Sequence, residues 1–407
     1  MKKGAFIFVL FTVFHLSSFA QQCDNPPTGF TPISDLGSGT FLGMTGGLYG
    51  NGSNEIPPAH LQHGIDLAHT VVPLNASGAE DPEGLIGFVS MGMSNCNQFF
   101  SAFRQLTQSY PELNPAVQMV NCATGGYDID AMLNTNGQYW TIVDQKLAQS
   151  GLTNNQIQVI WFEQAVHISN IPQGQNEVHI NWVENKFRNA FRYFKMRYPN
   201  LKQIYCSGRD YGGYSNPNVG NPEPYAYYTG WSFRRLVSRQ MAGDTALAFT
   251  GDQIRTAWLA WADYIWADGA IANADGFNWL CPGDVQSDGV HPNPTGAQKV
   301  GQKLLQFFST DTTTFWFRIQ PTTPTTVFAF DRASCRAVIQ PNPTRETLSI
   351  HTPCPGLYEL EILSPDGRCV MKSSGNTANI RSLNPGLYLV RISTSNSLPQ
   401  TLRLWVE

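Results

Sequence analysis

Gly87-Phe88-Val89-Ser90-Met91-Gly92-Met93-Ser94-Asn95 is the stretch from which the rest of the chain can be read. Its front, Leu85 to Val89, reads as a buried strand that turns through Gly92. Beyond the turn, Phe99, Phe103 and Leu106 recur at helical spacing. A serine at a tight strand-to-helix turn is well placed as a nucleophile. The turn holds its hydroxyl clear of the sheet, and the helix start supplies free N–H groups for a developing oxyanion. Gly-x-Ser turns are common, so the stretch gains its weight from a second one far along the chain, Asp288-Gly289-Val290-His291-Pro292.

Strands and helices alternate outward from Leu85. Strand 85–90 leads into helix 95–108, strand 116–120, a Thr124-Gly125-Gly126 turn and a helical pattern over 139–149. Gln156 to Phe162 is the clearest buried strand. Helix 178–197 lines Ile180, Val183, Phe187, Phe191 and Phe194 on one face. Strand 201–206, helix 225–241 and a last helix over 294–308 follow. This alternation predicts an α/β fold with a parallel sheet covered by helices on both faces. Sites in such sheets form beyond the carboxyl ends of the strands, where Ser94, Gly125 and Gly126 fall. Residues 21–84, rich in Gly, Pro and Asn, read as an irregular lead-in. Residues 316–334, with Pro321-Thr322-Thr323-Pro324-Thr325-Thr326, read as an extended linker. Short alternating strands then run over 347–351, 357–363, 368–372 and 386–392, separated by turns such as Pro365-Asp366-Gly367. They predict a small all-β sandwich over 335–407.

The chain has 407 residues, long enough for two domains, and its 14% charged content with net charge -4 gives no electrostatic reason for a nucleic-acid partner. Residues 1–20 read as a signal peptide: Lys2 and Lys3, an apolar run from Ala5 to Phe14, and the small residues of Ser18-Phe19-Ala20. No later segment is long and apolar enough to span a membrane. The 8 cysteines are even in number, which permits disulfides in an exported chain. Cys96 and Cys122 follow two strands expected to be neighbours and are the suspected pair, with buried free thiols as the alternative. His60-x-x-His63 with His69 lacks carboxylate or thiol partners at a telling spacing, so structural histidines are expected there, and no metal or cofactor. Trp258, Trp261 and Trp266 fit core packing better than a sugar platform.

The segment from about Leu85 to Phe308 resembles the SGNH (GDSL-type) hydrolases, and more narrowly a little-characterised bacterial SGNH-like group. Gly92-Met93-Ser94-Asn95, Gln158-Val159-Ile160-Trp161, Asn221-Pro222-Glu223-Pro224-Tyr225-Ala226-Tyr227 and Asp288-Gly289-Val290-His291-Pro292 carry the resemblance. It implies a flavodoxin-like three-layer α/β/α domain over 21–315. It also implies a catalytic triad in which Ser94 attacks an ester carbonyl, His291 takes its proton and Asp288 orients the imidazole. The oxyanion hole it implies uses the N–H groups of Ser94 and of Gly125 or Gly126. The family's side-chain oxyanion donor is an asparagine after the third strand; Val166 stands at the position where the related group would place it. Gln164, His167 and Asn170 are the candidate substitutes. Arg209 and Glu223, in loops after the fourth strand, are candidate substrate-binding residues, with a structural ion pair as the alternative. The expected substrate is an ester; export and family habit suggest an acetyl ester of a carbohydrate. A catalytically silent glycan-binding domain is the rival reading.

The C-terminal stretches Pro341-Asn342-Pro343, Gly356-Leu357-Tyr358, Asp366-Gly367-Arg368 and Pro385-Gly386-Leu387-Tyr388-Leu389-Val390, with a final strand at Thr401 to Glu407, resemble a type IX secretion C-terminal sorting domain. That resemblance implies the type IX secretion machinery as partner, passage across the outer membrane, and a secreted or surface-attached protein. Tyr358, Tyr388 and Trp405 alternate with aliphatic residues as core residues do, which argues against a carbohydrate-binding domain.

Overall fold

The computed structural model describes residues 23–171, 176–319, 338–351, 358–364, 368–394 and 397–407, so the expected signal peptide and most of the expected linker lie outside the described residues. The chain divides into two compact units at Pro321. In the first, a small hairpin, β1 (Thr40–Phe41) and β2 (Met44–Thr45), and helix α1 (Pro58–Ala68) precede a five-stranded parallel sheet. Its strands are β3 (Ile86–Gly92), β4 (Val117–Asn121), β5 (Ile157–Glu163), β6 (Gln203–Cys206) and β7 (Trp258–Trp261), in spatial order β4-β3-β5-β6-β7. Counted within the sheet this is the order 2-1-3-4-5 of flavodoxin-like folds, with its switch point between β3 and its two neighbours.

The register explains the three layers. Phe88 pairs with Val159, and Trp161 pairs with Tyr205, so Phe88, Trp161 and Tyr205 point to one face. There Phe88 meets Phe100 and Phe103 of α2 (Ser94–Thr107) and Phe308 of α7 (Pro294–Thr310). Phe100 stacks on Trp161, and Phe308 meets Tyr205. On the opposite face Phe162 packs on Phe187, Phe191 and Phe194 of α5 (Glu177–Arg197), which leans on α6 (Tyr225–Met241) through Phe191 and Phe233. The short α3 (Ile129–Leu133) and α4 (Gln138–Gln149) join this layer, where Tyr139 donates to Met91 Sδ. Fully burying each such aromatic or aliphatic side chain contributes about 1.5–3 kcal/mol, which makes the sheet a rigid platform for the loops at its carboxyl edge.

Four expectations for the first unit need correction. The lead-in is not irregular throughout: it contains α1, and it is tied down through Asp268, which accepts from Thr28 N, Thr28 Oγ1 and Gly29 N, and through Arg234, which donates to Gly47 O. The fifth strand, β7, was hidden in Trp258-Leu259-Ala260-Trp261, an apolar run with no polar alternation; Trp258, Trp261 and Trp266 are all buried in the core. The segment from Phe315 belongs to the first unit rather than to a linker, because Trp316 and Phe317 are buried and Ile319 N donates to Glu112 O. Finally, Cys96 and Cys122 are buried free thiols. Among the described residues the disulfide is Cys23–Cys281, which ties the first described residue to the loop that precedes Asp288.

The second unit is all-β. Strands β8 (Val338–Gln340), β9 (Thr347–His351) and β12 (Thr377–Asn379) form one antiparallel sheet in the order β12-β9-β8. Strands β10 (Tyr358–Leu363), β11 (Cys369–Ser374), β13 (Gly386–Thr394) and β14 (Ser397–Val406) form the other, ordered β11-β10-β13-β14. Leu348 and Ile350 from the first sheet meet Leu360, Ile362, Val390 and Leu404 from the second in one core. Trp405, expected in that core, is 53% exposed: β14 alternates, with Leu404 and Val406 inward and Trp405 outward. Tyr388 is half-buried, and the side chain of Tyr358 lies outside the described ones.

Candidate active site

Ser94 is the first residue of α2, directly after β3, so its N–H is among those a helix leaves without an intrahelical partner. Gly92 makes the turn possible. A Cβ there would sit 2.0 Å from Glu163 O and 2.4 Å from Cys96 Cβ, so only glycine lets β3 end this close to β5 and α2. The neighbouring loop is fixed by three bonds: Thr124 N donates to Gly92 O at 3.0 Å, Asn97 Nδ2 to Ala123 O at 2.9 Å and Lys146 Nζ to Ala123 O at 2.8 Å. They bring Gly125 so close that a Cβ on it would lie 3.5 Å from Ser94 Cβ. Gly126 follows with φ of +79°.

The second motif closes on the first. Its loop is stitched by Gln286 N to His291 O (2.8 Å) and Gly289 N to Gln286 O (2.9 Å). Gly289 has φ of +69° and passes Tyr214 O so tightly that a Cβ would be 1.8 Å from it. Asn293 then caps α7, its side chain accepting from Thr295 N and Gly296 N, and Pro294 takes the first helical position. Within this frame Asp288 Oδ1 accepts from Val290 N (2.9 Å) and His291 N (3.0 Å), while Asp288 Oδ2 accepts from His291 Nδ1 at 2.6 Å. His291 Nε2 lies 2.8 Å from Ser94 Oγ. With Nδ1–H committed to the carboxylate, the Nε2 lone pair faces the serine hydroxyl, which donates to it. Burial pushes the Asp288 carboxyl up, but the His291 N–H, the imidazole and the Val290 N–H outweigh it and hold it below the usual range. Ser94, Asp288 and His291 are thus brought together.

The other candidates are placed differently. Gln164 is buried, donates through Nε2 to Tyr127 O (3.1 Å) and Met132 Sδ (3.4 Å), and accepts through Oε1 from Ala165 N, so its amide is consumed within the fold. His167 is occupied by Ser169 Oγ and Gly220 N, Asn170 is turned to Asp128, and Val166 is fully buried. Arg209 is not poised for substrate. It is buried and paired with Glu163 (Nη1 to Oε1, 2.5 Å) and with Asp210 (3.1 Å). Glu223 accepts from Gly212 N, Tyr227 N and Trp266 Nε1, which makes it a scaffold residue. Burial pushes its carboxyl up to about 7 against those bonds. His60 is buried on Trp258 with Nε2 on Leu259 O, and no cluster of three metal-type ligands occurs among the described residues.

Sequence reasoning gave no role to Asn95, Asp210 or Glu163, which surround the triad from below. Asn95 is fully buried and donates both to Asp210 Oδ2 (2.7 Å) and to Val290 O (2.9 Å). Asp210 Oδ1 reaches Arg209, and Arg209 reaches Glu163 at the end of β5. Burial raises both acids, Glu163 to about 7, while the shared guanidinium pulls each back. The triad itself opens to solvent, its Asp288 and His291 side chains 37% and 31% exposed. A groove of about 660 Å³ between α2 and α7, lined by Asn97, Ser101, Gln105, Gln286, Pro292 and Gln298, runs beside it.

No curated protein matches the chain. Among solved structures, a calcium-binding mutant of Bacteroides uniformis β-glucuronidase 2 shares 10% identity over 92% of this chain and 46% of its own, with a TM-score of 0.17. The apo β-glucuronidase 3 of the same organism shares 10% identity over 88% of this chain and 47% of its own, with a TM-score of 0.15. The chain spans about half the length of those proteins, and likenesses this faint carry no conclusion. Residues 338–407 match the secretion system C-terminal sorting domain family. The second unit is therefore a sorting domain, which implies the type IX secretion machinery as its partner and export across the outer membrane to the cell surface.

Proposed function

We propose that the first unit is a serine esterase of SGNH type. The observation that carries this reading is the Ser94–His291–Asp288 chain of contacts at 2.8 and 2.6 Å, built from two segments far apart in sequence. His291 removes the Ser94 proton as Oγ attacks the ester carbonyl, and Asp288 stabilises the imidazolium that forms. The N–H groups of Ser94 and Gly125 take the oxyanion; His291 then protonates the leaving alcohol, and water releases the acid by the reverse sequence. With Gln164, His167 and Asn170 engaged elsewhere, the hole is made of backbone donors, one fewer than the family's usual set. A missing donor costs about 100- to 1000-fold in rate, so this enzyme works slowly on unactivated esters. The solvent-open triad suits an acyl group presented on a large alcohol, such as an acetylated glycan.

On this reading, residues 1–20 direct export through the inner membrane, and the sorting domain is cleaved after outer-membrane passage. Val166 gives the rival, a silent glycan-binding domain, its one specific support. Mature protein assayed on a small acetyl ester beside Ser94→Ala and His291→Ala decides between them. Turnover abolished in both folded variants supports the esterase; wild-type rates equal to Ser94→Ala across acetyl and longer acyl esters remove it.

A further inference from the structure

We propose that Asn95 is a positioning residue that sets the approach of Ser94 to His291. Asn95 follows the serine, and the carbonyl it binds belongs to Val290, the residue before the histidine. One amide group therefore joins the immediate neighbours of both reacting side chains, across 195 positions of sequence. Its two N–H bonds, 2.7 Å to Asp210 Oδ2 and 2.9 Å to Val290 O, use both amide hydrogens, which fixes the rotation of the group.

The anchor beneath it is rigid for a physical reason. Asp210 is buried, so its carboxylate must keep donors, and it finds them in Asn95 and Arg209. Arg209 is held in turn by Glu163 at the carboxyl end of β5. The chain Glu163–Arg209–Asp210–Asn95–Val290 thus transmits the position of the central sheet to the loop bearing His291. That loop is otherwise held mainly by its own short-range bonds, Gln286 with His291 and Asp288 with Val290. A serine-to-imidazole contact of 2.8 Å depends on two backbone segments keeping their spacing, and a displacement of about 1 Å costs on the order of 100-fold in rate.

The inference rests on the esterase reading for its kinetic arm, and a second arm reads geometry without turnover. Asn95→Ala and Asn95→Ser are compared with wild type for kcat and KM on an acetyl ester. Proton NMR follows the low-field His291 Nδ1–H signal, identified by its absence in His291→Ala. The expected result is a fall of about 100-fold in kcat with KM within about twofold, and a low-field signal broadened away in Asn95→Ala. Should wild type hydrolyse no ester, the esterase reading fails and the NMR signal alone decides: retained in Asn95→Ala, it overturns the positioning role; lost, it supports it. Wild-type kcat together with a retained signal in both variants overturns the proposal. So does failure of both variants to fold, since Asn95 would then be a core-stability residue.

Discussion

The carboxyl edge of the sheet carries two sets of polar residues a few ångströms apart, and they obey opposite rules. Ser94, His291 and Asp288 stand partly in solvent, are linked by two short hydrogen bonds, and leave no charge stranded when one member is removed. Glu163, Arg209, Asp210 and Asn95 are sealed below them, two acids sharing one guanidinium. Exposed groups can change protonation at small cost because water screens the change, as a proton-transfer site requires. Buried groups change protonation only at a cost to the fold, and their paired contacts hold their geometry, as a foundation requires. On the esterase reading, reactivity and rigidity are therefore assigned to separate layers.

The sharpest break of that contrast comes from removing one member of each set. Ser94→Ala and His291→Ala are expected to lower ester turnover by about 10⁴-fold or more while leaving the unfolding free energy within about 0.5 kcal/mol of wild type. Arg209→Met should do the reverse first. It leaves two buried acids without their cation, at about 3–5 kcal/mol of stability in chemical denaturation, and any loss of turnover follows from the loosened Asn95. A stable Arg209→Met protein, or a destabilised Ser94→Ala one, would erase the distinction.

The exposed layer was legible in the sequence and the buried one was not. Ser94 and the Asp288–His291 pair announce themselves by local chemistry: a serine after a strand, a glycine turn, an acid three residues before a histidine. Arg209 and Glu223 read as substrate-binding candidates because they fall in loops beyond a strand, with a structural ion pair as the alternative, and sequence alone does not choose between them. What hid their role was partnership over distance, since Arg209 finds Glu163 across 46 positions and Asn95 finds Asp210 across 115. The alternation of elements was legible for four of the five strands. β7 escaped because Trp258-Leu259-Ala260-Trp261 is buried on both faces and carries no period. The Cys23–Cys281 bridge spans 258 positions, beyond what spacing can reveal.

A subtler test uses pH. Burial raises the Glu163 carboxyl against the pull of Arg209 and holds Glu223 protonated up to about 7, whereas glutamate in the unfolded chain releases its proton near 4.5. The native state therefore binds more protons between those values, and each contributes stability that is present at low pH and lost as pH rises through about 7. Asp288 acts in the opposite sense: its carboxyl is depressed, so its contribution is present above 3.8 and lost as acid protonates it in the native state. Urea denaturation between about pH 5 and about pH 7 should show stability falling with pH, at up to about 1.4 kcal/mol per pH unit for each proton. Glu163→Gln is expected to remove one share of that slope and Glu223→Gln the other. A slope unchanged in both variants would show that these acids ionise freely and that the lower layer is not sealed.

The smallest effect belongs to a third setting, an ion cluster with no burial to enforce it. In the sorting domain Glu361 on β10 meets Lys372 on β11 at 2.6 Å and Arg391 on β13 at 3.5 Å, the same arrangement of one group between two opposite charges that Arg209 shows inverted. The side chains of Lys372 and Arg391 are 71% and 50% exposed, so water competes for each contact and salt screens the attraction. Two cross-strand cations also leave Glu361 one partner when the other is removed. Lys372→Ala should accordingly leave the calorimetric unfolding temperature of the full chain unmoved at physiological salt, where Arg209→Met shifts it by several degrees. A comparable shift from both substitutions would mean that charge count rather than burial sets the strength of these clusters, and the separation between the two layers at the carboxyl edge of the sheet would lose its physical basis.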